Sequence, residues 1–160
     1  MKHLLTVSVV SLLLTSCGLL IRDVAQSSIK KEDEVVPPDF IKPDETLIVL
    51  MWGDESYDKY ARGAFNEYYQ GKKVFIGFGD LMENEKYQDL DKYPYVFSQG
   101  PGESEMYESS SYRYTAYGSR PFHIYDRRKK EFYKSKVTSG FYKRIMEGYA
   151  RGLNKFTSGD

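Results

Sequence analysis

Thr46-Leu47-Ile48-Val49-Leu50-Met51-Trp52-Gly53 is an unbroken apolar run closed by a glycine. It does not alternate, so it predicts a strand covered on both faces rather than a half-exposed one. The residues after Gly53 build on that strand. Ser56 is a plausible helix N-cap, and Asp58 suits the positive first turn. Tyr57, Ala61, Ala64, Phe65 and Tyr68 recur at helical spacing, with Gly71 as a natural C-cap. Lys73 to Gly79 predicts a second buried strand. Asp80-Leu81-Met82-Glu83 has capping-box spacing and opens a shorter helix to about Asp91. Pro94 ends that helix, and Tyr95-Val96-Phe97-Ser98 is a third strand. Strand–helix–strand–helix–strand is the pattern of parallel right-handed crossovers.

Beyond Ser98 the pattern changes. Gln99 to Ser111 is polar and turn-rich, and Tyr112 to Tyr117 alternates as a half-exposed strand does. Pro121–Asp126 and Glu131–Ser135 form a hairpin around Arg127-Arg128-Lys129-Lys130. Thr138 or Ser139 caps a last helix with Phe141, Ile145, Tyr149, Leu153 and Phe156 along one stripe. The expected fold class is α/β (or α+β): a single domain over residues 46–160. It has a mixed sheet, a βαβαβ first half, an antiparallel hairpin second half and a C-terminal helix. Strand order is not readable from this pattern. Through Tyr95–Ser98 and Ile124-Tyr125-Asp126 the arrangement is similar to small domains of curli-secretion and penicillin-binding-protein-activator lipoproteins. A likeness of fold alone implies no function.

Upstream of the domain, Met1-Lys2-His3 carries positive charge ahead of an apolar stretch, Leu4 to Leu14. As a helix that stretch rises roughly 16 Å, about half the hydrocarbon thickness, which favours a cleaved signal over a membrane span. It ends in Leu14-Thr15-Ser16-Cys17, which resembles the lipobox of bacterial lipoproteins. The resemblance implies diacylglyceryl transfer to the Cys17 sulfur, cleavage before Cys17 and acylation of the new amine. Residues 1–16 are then the signal peptide. Lys30-Lys31-Glu32-Asp33-Glu34, Pro37-Pro38 and Pro43 make residues 17–45 a lipidated N-terminus and flexible tether, since such composition buries little apolar surface. Gly18, rather than Asp, fits delivery to the outer membrane of the cell envelope under the enterobacterial sorting pattern.

The 23 basic residues fall to 22 once Lys2 leaves, against 23 acidic ones. Near-neutral charge gives no whole-protein attraction to nucleic acid. Cys17 is the single cysteine, so internal disulfides and thiolate metal sites are excluded. Fifteen Tyr and nine Phe must supply the core.

Five features are candidates for chemistry. Gly77-Phe78-Gly79-Asp80 follows a strand, where α/β folds bind phosphates, but it lacks the rest of a nucleotide fingerprint and predicts a tight turn. No cofactor is expected. Asp54, Glu55, Asp58 and Asp80 are the place for a carboxylate cluster, and the same residues are ordinary helix-start chemistry. His123 has no cysteine partners and no nucleophile elbow, which points to a structural role. Arg127 to Lys136 holds six basic residues and one acid, so Arg127, Arg128, Lys129 and Lys130 are candidate contacts for an anionic headgroup or cell-wall polymer. Gly148 and Gly152 suggest close approach of the last helix to the sheet. The leading expectation is a lipid-anchored, non-catalytic envelope module that binds a partner, an envelope protein or an anionic cell-wall or lipid component, or supports an assembly. The alternatives are an enzyme using the carboxylates near Asp54 and Asp80, and an immunity or inhibitor lipoprotein.

Overall fold

Leu47, Ile48, Val49 and Leu50 are completely buried, and the strand they form lies inside the sheet with a parallel partner on either side. The computed structural model describes residues 19–29, 34–40, 42, 44–99, 121–137 and 141–158. A helix, α1, occupies residues 19–27. After it come β1 (Leu47–Met51), α2 (Glu55–Tyr68), β2 (Lys73–Gly77), α3 (Phe78–Glu83) and a 3-10 turn (Glu85–Gln88). The chain continues through β3 (Tyr95–Gln99), β4 (Phe122–Asp126), β5 (Glu131–Lys134) and α4 (Tyr142–Ser158). The sheet order is β2-β1-β3-β4-β5, with β4 antiparallel to both β3 and β5. The mixed sheet, its parallel first half and its antiparallel hairpin are as the sequence predicts. The expected strand Tyr112–Tyr117, the cap at Thr138 or Ser139, and the segment 1–18 with Cys17 lie outside the described residues.

Period-two alternation divides the sheet between two cores. Leu47, Val49, Met51, Tyr95, Phe97, Phe122 and Ile124 point to one face, where they meet Tyr57, Ala61, Ala64 and Phe65 of α2 and Ile145, Tyr149 and Leu153 of α4. Ile48, Leu50, Val96 and Tyr125 point to the other, against Leu81, Tyr87 and Tyr93. Aromatic rings fill the first core: Phe97 lies 4.6 Å from Phe65, 5.5 Å from Phe122 and 5.3 Å from Tyr149, centroid to centroid. Arg151 of α4 stacks over Tyr68 of α2 at 4.0 Å.

Local expectations need four corrections. Asp54, not Ser56, caps α2, its Oδ1 accepting from the Tyr57 N–H at 2.7 Å. Gly71 is not the C-cap of α2; Tyr69 is, and a Cβ at 71 would run into the Tyr69 ring. The helix after β2 ends at Glu83, because the Asn84 carboxamide accepts from the Lys86 N–H at 3.1 Å and starts a separate 3-10 turn. Only Ile76 of β2 is buried, since that strand is an edge.

The largest correction concerns the segment expected as a tether. Ala25, Ile29, Val35, Val36 and Phe40 are all buried in the first core. Phe40 packs on Tyr95 with centroids 5.1 Å apart and on Phe156 at 6.3 Å. The Tyr95 hydroxyl donates to the Asp39 carbonyl at 3.0 Å. At its described residues this stretch is part of the domain. Its charge runs and prolines hide apolar residues at single positions, which a composition argument averages away. Gly148 and Gly152 likewise admit α1, not the sheet. A Cβ on Gly148 would strike the Arg22 carbonyl oxygen and come within 2.9 Å of the Ala25 Cβ. One on Gly152 would lie 2.7 Å from Ile29 Cδ1 and 3.0 Å from the Gln26 carbonyl.

Candidate functional site

Asp126 closes β4, and its buried carboxylate organises the hairpin turn. Oδ1 accepts from the N–H groups of Arg128 (2.9 Å) and Lys129 (3.1 Å). The turn ends with Lys130 at φ +58°, a left-handed conformation unusual for a lysine. This geometry sends the neighbouring cations inward over the domain. Arg127 Nη1 donates to the carbonyls of Tyr87 (2.6 Å) and Tyr93 (2.9 Å), fastening the hairpin to the 3-10 turn. Arg128 donates to Glu45 Oε1 and to the Tyr95 hydroxyl, both at 2.8 Å. Lys129 Nζ reaches Asp39 Oδ1 at 2.9 Å, and this hydrogen bond holds the Asp39 carboxyl below the usual carboxylate range. Three of the four expected anion contacts are therefore engaged within the molecule. They tie Asp39, Glu45 and the 3-10 turn to the hairpin.

Lys130 instead lines a cleft of about 830 Å³. Glu34, Val36 and Pro38 form one wall, and Lys130 to Lys134 along β5 form the other. Because β5 ends the sheet order among the described residues, the cleft runs beside an edge of the described sheet. The lining mixes both signs of charge with Val36, Pro38, Phe132 and Tyr133. Such a surface suits an extended peptide segment, which a sheet edge holds by main-chain hydrogen bonds and side-chain pockets.

The carboxylates near the end of β1 do not converge on a shared point. Asp54 is spent on the α2 cap. Asp58 turns back to accept from the N–H groups of Trp52 (3.0 Å) and Gly53 (3.1 Å), securing a turn in which Gly53 has φ +75°. Glu55 and Asp80 are exposed on α2 and α3. Among the described residues no group of three His, Cys, Asp or Glu side chains is placed to hold a metal ion. Gly77 joins β2 directly to α3 and is its N-cap, so Phe78, Gly79 and Asp80 form the first turn of the helix rather than the expected tight turn, and Asp80 does not open it with a capping box.

His123 is 1 % exposed and faces Ser98 across the β3–β4 pair. The Ser98 hydroxyl accepts from Trp52 Nε1 at 3.1 Å, and Phe132 packs edge-on to the imidazole with centroids 5.0 Å apart. Burial, helped by Lys134 on the adjoining strand, pushes the His123 pKa down to about 4. A neutral imidazole at this depth is a packing residue on the sheet face. The cleft walls at residues 34–38 were missed by sequence reasoning. The signal available was the apolar pair Val35-Val36 inside the charged segment.

No protein-family model, curated protein or solved structure matches the chain.

Proposed function

We propose that this chain is a lipid-anchored lipoprotein of the cell envelope, attached through Cys17 and directed to the outer membrane. Its domain is a non-catalytic module that binds a protein partner in the cleft beside β5. The observation that carries the anchor is Leu14-Thr15-Ser16-Cys17 at the end of a short apolar run behind a positive N-terminus. The cleft supports a binding role, being mixed in charge and bordered by a sheet edge. The cap made by Asp54 and the turn held by Asp58 take support away from the alternative of carboxylate catalysis.

Mass spectrometry of the mature N-terminal peptide tests the anchor. It should begin at Cys17 and carry diacylglyceryl and acyl groups, and Cys17→Ala should abolish both the modification and cleavage at this site. A Cys17→Ala protein that matures normally and stays in the membrane overturns the anchor. For the binding role, affinity capture from solubilised membranes should retain a stoichiometric partner with wild type and lose it with Lys134→Glu. Identical capture by the two proteins, or no partner with either, removes the cleft as its site.

A further inference from the structure

The inward face of α1 is fully used. Ala25 and Ile29 are buried, and Arg22, Ala25, Gln26 and Ile29 fill the groove over Gly148 and Gly152. Its outward face carries Leu19, Leu20 and Val24, which are 43 %, 62 % and 54 % exposed. These three make up half of the exposed large hydrophobic residues among those described, gathered within six positions of sequence. Asp23 lies on this same face with its side chain 64 % exposed and pairs with Arg22 at 3.3 Å. Cys17 lies two residues before Leu19, so their Cα atoms are at most about 7 Å apart whatever the intervening conformation. A lipid on the Cys17 sulfur therefore brings the bilayer to the start of α1. The domain cannot move away from it without undocking α1, which would expose Ala25, Ile29 and the glycine groove.

We propose that the outward face of α1, formed by Leu19, Leu20 and Val24, lies in the boundary between headgroups and acyl chains and seats the domain directly on the membrane. This inference rests on the lipidation of Cys17 proposed above. Lipid is the occupant because the anchor delivers a bilayer to this face. Three side chains also fall far short of the roughly 20–30 residues a side that a specific protein interface uses. An apolar helix face at this depth is a familiar interfacial arrangement.

The test uses the full chain, processed in cells and reconstituted in vesicles of phosphatidylethanolamine and phosphatidylglycerol. Val24→Cys provides a single free thiol, the Cys17 sulfur being blocked as a thioether, and takes an environment-sensitive nitrobenzoxadiazole label. Leu90→Cys is the control, an exposed apolar position in the segment between Tyr87 and Tyr93, which belong to the core on the other side of the sheet. Expected is a blue-shifted, several-fold brighter label at 24, quenched by nitroxide-labelled lipids, with the label at 90 remaining water-like. Lipid confirmed on Cys17 together with a water-like label at 24 overturns the seating and leaves the anchor intact. A shielded label at 24 that nitroxide lipids do not quench means that protein covers the face, which also overturns it. Absence of lipid on Cys17 overturns anchor and seating together.

Discussion

His123 sits on the buried side of β4 with neither ring nitrogen bonded among the described residues, and its consequence is a pH dependence with a definite sign. In the unfolded chain the imidazole takes up a proton near pH 6.5, whereas the folded one resists until about pH 4. The unfolded state therefore binds more protons in this window, so stability falls as pH drops from 6.5 toward 4, by roughly 3 kcal/mol. Denaturant unfolding at pH 7.5 and 4.5 should show a smaller loss for His123→Leu than for wild type. Parallel losses would mean that the folded imidazole protonates freely. Asp54 allows a second check at this scale. If its function is the cap seen here, Asp54→Ala should cost about 1 kcal/mol while Asp54→Asn costs little, because asparagine caps equally well. A metal-binding or catalytic carboxylate would not tolerate the amide. Both residues were visible in the sequence, but the choice of Asp54 over Ser56 as cap depended on where β1 ends and the turn at Gly53 begins.

At the level of elements, the joint between α1 and α4 is the contact most exposed to test. Replacing a helical glycine by alanine normally gains up to about 1 kcal/mol of propensity. At Gly148 the steric conflict with the Arg22 carbonyl oxygen should outweigh that gain, since backbone cannot swing aside as a side chain can. Gly148→Ala should lower the melting temperature and render Arg22 cleavable by trypsin while the sheet stays folded. A raised melting temperature with Arg22 still protected would place α1 elsewhere. The spacing of the two glycines was legible, and so was their meaning as a close approach. What they approach was not, because α1 is about 120 residues away in sequence and its segment has the composition of a linker.

For the molecule as a whole, the basic hairpin acts as a clasp. Glu45 is 4 % exposed and is held by Arg128 and by the Lys42 N–H at 2.7 Å. Removing one partner of a buried ion pair leaves the other charge uncompensated. Arg128→Ala should therefore cost about 2–3 kcal/mol in denaturant unfolding, discounted for the partial exposure of Arg128. Lys130→Ala should leave stability within about 0.5 kcal/mol, as surface changes do. Equal effects from the two would show that the clasp carries no weight. Neutralising all four cations at once would thus report on folding before it reported on any anionic ligand, and Lys130 alone is the fair probe of that idea. The sequence by itself determined the described strands, their pairing sense and the helices α2 and α4: unbroken apolar runs separated by helical stripes specify parallel strands, and a short charged turn specifies a hairpin, because these signals are local and periodic. Tertiary structure alone decided that β1 lies between β2 and β3, that Ala25, Ile29, Val35, Val36 and Phe40 join the core, and that Arg127, Arg128 and Lys129 are engaged within the molecule. Those outcomes depend on shape complementarity and charge pairing between distant segments, which no local period encodes.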